Sequence, residues 1–320
     1  MAKVTTTKSR NRLSGGLHSF TTEFGKNRTL FLMLVPAVLF TVIFCYLPMG
    51  GIVIAFKNYR YSDGIWNSPW VGFNNFKFFF QSGDAWKVTR NTLLYNVAFI
   101  ALGTVLKILL AVLIHEMCTK KFKKTLQSMM LLPYFLSWVV IGGLAYNMLN
   151  YEFGVINDVL AQFNLQPMDF YNTPGYWKYI LVAVNLWQST GYGMIFYLAA
   201  ITGINPELYE AAYIDGAGLI QRIWHITLPL IMPTTVILVL LSLGAILKGN
   251  FQMFYQLVGN NGQLFDATDV IDTYVFRSLM KIKDYGLTTA AGLYQQVVGF
   301  VLVMVANYAV NKVSADSALF

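Results

Sequence analysis

Long apolar runs alternate with short polar stretches along the whole chain. The runs over residues 30–56, 91–116, 126–150, 176–201, 230–253 and 289–310 each reach the about 20 apolar residues that a helix needs to cross a hydrocarbon core. A bilayer offers no water to backbone N–H and C=O groups, so runs of this length are expected to be helices. Nothing shows the ten-residue alternation of a membrane barrel. The pattern predicts an all-α, polytopic membrane protein with six transmembrane helices. The polar stretch before residue 30 is too long for a cleaved leader, and the first run is too long and lacks a small-residue exit. It reads as a tail followed by a retained helix.

Composition agrees. Of 320 residues, 56% are hydrophobic and 12% charged, against about 25% charged in an ordinary soluble domain. The net charge of +8 is scattered among apolar runs rather than gathered on one face, which argues against a nucleic-acid partner. Six Lys and Arg lie in residues 1–28 and four in the KKFKK stretch at 120–124. Basic residues close to span ends mark the cytoplasmic side, so with six spans both termini are expected inside. The resulting organisation is a cytoplasmic tail at 1–28, a six-helix membrane domain at 29–312 with a cytoplasmic loop at 203–229, and a cytoplasmic tail at 313–320. Cys45 and Cys118 fall at span ends facing opposite sides, which excludes a disulfide between them.

Chemistry at a single site is poorly supported. No G-x-x-x-x-G-K-[ST] phosphate cradle occurs, so the chain cannot supply ATP energy by that route. His115-Glu116 lacks a second histidine four residues on, and His18, His115 and His225 are dispersed, unlike a metal site. The acids lie almost entirely in loops, without the nucleophile-base or carboxylate pair that a membrane hydrolase places at depth. The chain is expected not to be an enzyme.

One polar stretch stands out between the fourth and fifth runs: EAAYIDGAGLIQRIWHITLP, from Glu210 to Pro229. Just before it, Asn205 is a good N-cap, Pro206 suits the first helical position, and Glu207 lies where the helix dipole favours an acid. A short helix is expected from there to Asp215-Gly216, where glycine takes the left-handed C-terminal conformation. A second short helix over residues 219–226 should end at Pro229.

Glu210-Ala211-Ala212, Gly216 and Ile226-Thr227-Leu228-Pro229 stand at the spacing EAA---G---------I-LP. This resembles the EAA loop of permease subunits of binding-protein-dependent ABC importers. Most of residues 30–320 is similar to one carbohydrate branch, the LplB-like polysaccharide permeases, through YLPMGGIVIAFKNY, VGFNNFKFFF, LLPYFLSWVVIGG, FYLAAITGINPELYEAAYIDGAG, VIDTYVFRSL and a closing SALF. The resemblance implies a type I permease-like bundle in the cytoplasmic (inner) membrane, with a cytoplasmic coupling helix that docks on an ATPase. Glu210, Ala211, Ala212, Asp215 and Gly216 would be the coupling residues. The implied partners are a second homologous permease subunit in a heterodimer, two ATP-binding subunits and an extracytoplasmic solute-binding protein. The implied cofactors, ATP and Mg, would sit on the partner subunits and not on this chain.

The fourth run carries Asn185, Trp187, Gln188, Ser189, Thr190 and Tyr192 near its middle. Polar groups at that depth face a partner helix or a water-filled cavity, and amides with aromatics suit sugar rings. Asn185, Trp187, Gln188 and Tyr192 are the candidates for the substrate path, Gln188 and Tyr192 sharing one face. Lys107 and Lys178 read as snorkelling residues near span ends. Lys248, beside Gly249-Asn250, reads as a cation in the outer part of the fifth span. With Asn250 it completes the candidate path, and it points to an acidic saccharide such as an alginate- or pectin-type uronate oligomer. A polyol or phospho-sugar is the alternative cargo, and a stand-alone channel or secondary transporter the alternative architecture.

Overall fold

A computed structural model of the chain describes residues 26–117 and 119–313. The two expected tails, together with Cys118, lie almost wholly outside the described residues. Those that are described form helices joined by turns, with one isolated antiparallel bridge between Lys57 and Trp70. The chain divides into two compact units, Met1–Val53 and Ile54–Phe320.

The first long helix, α1, spans Arg28–Phe56. It starts as an α-helix over Arg28–Thr41, widens to a π-turn over Val42–Tyr46 and tightens to 3-10 geometry over Leu47–Phe56. The π-turn stops immediately before Leu47-Pro48. A proline ring clashes with the carbonyl four residues back and offers no N–H, and a locally wider turn accommodates both defects. Cys45 is free and exposed on this helix.

The second unit continues through α2 (Asn74–Gln81), α3 (Asp84–Glu116), α4 (Lys120–Leu131), α5 (Trp138–Leu149), α6 (Val155–Gln162) and α7 (Pro174–Thr202). It then runs through α8 (Pro206–Ile214) and α9 (Leu219–Leu243), and on to α10 (Phe251–Val258), α11 (Ile271–Arg277) and α12 (Tyr285–Val313). Among the described residues, α1, α3, α9 and α12 are long and apolar enough to cross a membrane, and the bent pair Lys120–Phe135 and Trp138–Leu149 makes a fifth candidate. At 29 residues α7 has the length, but its central polar residues hold down its hydropathy.

Helices α3 and α7 pack along each other more extensively than any other pair. Small residues let the bundle close. A Cβ on Gly191 of α7 would meet the Met130 carbonyl oxygen, and one on Gly142 of α5 would lie 2.6 Å from the Gln256 carbonyl oxygen. Three apolar cores result. One gathers Tyr95, Trp177, Leu181 and Phe254, a second Phe79, Val88, Tyr274 and Leu287, and a third Ile114, Met194, Tyr197 and Ile231.

Two of the expected spans are corrected. The run at 126–150 is not one helix: it bends by 93° between residues 135 and 138. Pro133 turns the end of the first helix into a 3-10 turn, Leu136 is extended, and Ser137 caps a new helix by accepting from the Val140 N–H. The run at 230–253 is displaced toward the N-terminus, because α9 begins at Leu219 and ends at Leu243. Pro229 does not end a helix as expected. A π-turn over Ile223–Thr227, again directly before Leu-Pro, carries the helix through. Gly244 and Gly249, by contrast, sit in the irregular turn that follows residue 243.

Candidate functional site

The polar stretch after α7 folds from its own caps. Asn205 Oδ1 accepts the Glu207 N–H at 3.1 Å while its amide donates to Glu207 Oε2, also at 3.1 Å. Pro206 occupies the first turn. At the other end Gly216 adopts φ +78°, which L-residues avoid, and the Ala217 N–H reaches back to Ala212 O at 2.9 Å. The Gly218 N–H then donates to Gln221 Oε1 at 2.8 Å, starting α9. The first helix and the glycine turn expected from sequence are present, and the second helix starts where expected but runs on through Pro229. One hydroxyl pair, Tyr209 Oη with Thr227 Oγ1 at 2.9 Å, ties α8 to α9.

No residue of α8 is buried. Glu210, Ala211, Asp215 and Gly216 are exposed and Ala212 half-buried. The Glu210 carboxylate has no partner among the described residues. Around it Tyr213, Ile214, Ile220 and Trp224 are exposed by 73, 83, 70 and 65%. Large apolar side chains and free polar groups thus stand side by side on this exposed segment. Just behind it, His115 Nδ1 and Arg222 Nε are buried without a hydrogen-bond partner among the described residues.

A second region is a half-open groove between α3, α7 and α9, with Tyr134, Tyr192 and Phe196 on its exposed rim. A cavity of ≈ 330 Å³ is lined by Thr104 and Lys107 of α3, Tyr134, the α7 residues Ser189, Tyr192, Gly193, Phe196 and Tyr197, and Leu238, Leu241 and Ser242 of α9. The Tyr134 and Tyr192 rings stack at 4.2 Å and 8°, and Phe196 meets Tyr192 edge-on at 5.5 Å. Gln188 Nε2 donates to the Tyr134 carbonyl at 3.4 Å. The shared face of Gln188 and Tyr192 is therefore gathered on Tyr134.

The other path candidates lie elsewhere. Trp187 is half exposed in a neighbouring groove of ≈ 370 Å³ with Met129, Met130 and Pro133. Asn185 donates to Met253 Sδ at 3.6 Å and serves packing. Asn250 caps α10 by accepting from the Met253 N–H at 3.2 Å. Lys248 is not in a helix: it is exposed in the turn after α9, beside a groove of ≈ 290 Å³ with Gln295, Gln296 and Phe300. The turn is held by the Gly249 N–H bond to Asp272 and the Gln295 amide bond to the Leu247 carbonyl.

Lys107 also departs from its expected place. It lies in the body of α3, nine residues before the helix ends at Glu116, or about 13 Å of helix rise. That is farther than a lysine stem reaches to an interface, and the side chain points at α7 instead. Lys178 conforms to expectation, in the second turn of α7. It shares with Arg90 and Tyr179 a groove of ≈ 620 Å³ between the other ends of α3 and α7. Sequence reading placed Lys107 near a span end and did not single out Tyr134, Thr104 or Ser242. The count of apolar residues on both sides of Lys107 was the available signal for the first; no local signal marks the other three.

Beyond α9 the chain is held by buried polar bonds. Asp272 Oδ2 accepts the Gly249 N–H at 2.6 Å and Gln295 Nε2 at 3.0 Å, and Gln295 Nε2 also donates to Leu247 O at 2.7 Å. Asp269, 3% exposed, takes both ends of the Arg277 guanidinium and the Thr273 hydroxyl. That guanidinium lies over Phe265 at 4.1 Å. Asn91 and Tyr95 of α3 donate to the carbonyls of Asp266, Asp269 and Ala267. Burial pushes the Asp272 carboxyl above its ordinary value, opposed by the Gly249 and Gln295 bonds and by the charge of Lys248. Among the described residues no three His, Cys, Asp or Glu side chains gather as metal ligands.

The family model described as "Binding-protein-dependent transport system inner membrane component" matches residues 103–315. The chain is 34% identical over 287 residues to protein LplB of Bacillus subtilis (strain 168), covering 90% of each chain. It is also 34% identical over 287 residues to the polygalacturonan/rhamnogalacturonan transport system permease protein YteP of the same organism, covering 90% and 89%. A crystal structure of a bacterial ABC transporter involved in the import of the acidic polysaccharide alginate superposes with a TM-score of 0.85 at 34% identity, covering 92% of this chain and 99% of that one.

Proposed function

This chain belongs to the family of binding-protein-dependent transport system inner membrane components, and on that premise we propose that it is a permease subunit of an ATP-driven importer of oligo- or polysaccharides. An extracytoplasmic solute-binding protein delivers the cargo. The observation that carries the coupling role is the exposed segment at 205–218: locally capped, fixed to α9, and presenting the unpartnered Glu210 among exposed Tyr213, Ile214, Ile220 and Trp224. A groove on an ATP-binding subunit that supplies a cation for Glu210 and an apolar wall for the rim satisfies every feature of that surface. Asp215 and Gly216 shape the turn, and Ala211 and Ala212 let the helix approach closely.

Six crossings by α1, α3, the bent pair α4–α5, α7, α9 and α12 leave both termini and the 205–218 segment on the cytoplasmic side, where the basic residues at 120–124 also lie. ATP and Mg bind the partner subunits. Their closure displaces α8, and α9, tied to it across the glycine turn by the Tyr209–Thr227 hydroxyl pair, moves with it. The two conformations differ in their affinity for ATP, which is the condition for ligand-driven switching. A second permease subunit supplies the other wall of the path. Carbohydrate cargo agrees with the Tyr134–Tyr192 stack and the hydroxyl lining of the groove beside it, and with relatives named for polygalacturonan/rhamnogalacturonan and alginate transport.

The test is reconstitution with the companion subunits in proteoliposomes. Glu210→Ala is expected to lower both ATPase co-purification and ATP-dependent uptake of an oligouronate by at least about tenfold, the effect of losing a buried charged hydrogen bond. Unchanged uptake by that variant overturns the coupling assignment.

A further inference from the structure

Among the described residues, Lys107 is the one lysine in the body of a long apolar helix that faces a cavity rather than a helix end. Its stem crosses the face of Gly193, where a Cβ would lie 2.4 Å from Lys107 Cε, and its Nζ lies within 3.5 Å of a Cβ built on Gly103. Only glycine at position 193 leaves that passage open. The ion pairs found among the described residues engage Lys87 and Arg277, and none engages Lys107. No hydrogen bond from its ammonium is found among them either. A charge at membrane depth without a partner is expensive and marks a ligand or ion pathway.

Resting on the importer reading, we infer that Lys107 is the charge-selecting residue of the substrate path, its ammonium pairing with the carboxylate of an acidic sugar unit whose ring lies against the Tyr134–Tyr192 stack. The stack offers an apolar face for a pyranose ring. Thr104, Ser189 and Ser242 border the same cavity with hydroxyls for the ring's rim. A neutral sugar leaves the ammonium desolvated and unpaired, while a uronate neutralises it, so the cavity discriminates by charge. This moves the selectivity for acid from the exposed Lys248 to the half-buried Lys107 in the groove between α3, α7 and α9.

The experiment uses the complete transporter in proteoliposomes with two probes, a galacturonate tetramer and its carboxyl-reduced, neutral counterpart of equal length. Lys107→Met is expected to raise KM for the acidic probe about 10- to 100-fold, the range for losing a hydrogen bond between charged groups, and to leave the neutral probe unchanged or improved. Lys107→Arg should keep the preference for acid. The rise in KM with ionic strength should disappear in Lys107→Met, because the screened charge is gone. Equal losses for both probes make Lys107 a packing residue and overturn the proposal, as does an unchanged ratio of the two. No ATP-dependent uptake of either probe by the wild-type transporter overturns the importer reading itself, a result distinct from the other two.

Discussion

The segments on either side of α9 are built from similar residues and behave in opposite ways. Residues 205–218 contain acids, an amide and glycines, and almost all of them face water, satisfied by local caps. Residues 244–284 contain acids, amides and glycines too. There Asp269, Thr268 and Ser278 are buried, and the hydrogen bonds run to α3 and α12, far away in sequence. The difference teaches that polarity between two apolar runs does not by itself mean a solvated loop. What decides is whether the partners are nearby in the chain. Locally closed bonds free a segment to serve a partner, while long-range ones fasten helices together.

Removing one side of a buried ion pair should separate the two regions most sharply. Arg277→Met leaves the Asp269 carboxylate buried and unpaired, and is expected to destabilise by about 3–5 kcal/mol, read as loss of thermal stability in detergent. Next, Gly249→Ala places a Cβ 2.8 Å from Val270 Cγ2 and 3.0 Å from Asp272 Oδ2, with an overpacking penalty of about 1–3 kcal/mol. On the exposed side, Gly216→Ala meets no neighbour but must hold φ +78°, costing about 1–2 kcal/mol. Glu210→Gln should change stability by no more than about 0.5 kcal/mol, as for a surface site, while uptake falls. Equal thermal shifts for Arg277→Met and Glu210→Gln would erase the distinction.

Acidity offers a finer probe. The Asp272 carboxyl is raised in the folded protein, so the folded state binds its proton more readily than the unfolded chain does. Its ionisation therefore weakens folding as pH rises through the folded value, and that loss is recovered as pH falls. The stability of the wild type relative to Asp272→Asn should thus improve toward acid pH. A difference independent of pH would show the carboxyl to be ordinary.

How far the sequence was readable follows the same division. The 205–218 segment was legible to the residue because caps, proline and left-handed glycine act within one or two turns. The runs that became α1, α3 and α12 were legible because hydrocarbon demands length and apolarity, and α7 was legible by its length alone. The end of α9 was not: residues 244–253 continue an apolar run, yet the Asp272 bond to Gly249 and the Gln295 bond to Leu247 fix that stretch as a turn. The bend after Phe135 was signalled by Pro133 and Ser137 but submerged in hydrophobicity. Gln188 and Tyr192 were paired correctly by helical spacing, whereas Tyr134, on which they converge, comes from a segment more than fifty residues away.

The π-turn over Ile223–Thr227 has a geometric consequence for whatever grips the protein below it. Such a turn holds one residue more than α-helical winding does, and each residue accounts for about 100° of azimuth. The orientation of Leu219–Arg222, and of α8 beyond it, about the axis of Leu228–Leu243 is therefore set by that one residue. Excising a residue there would leave every side chain of α8 intact and turn them all to a different compass bearing.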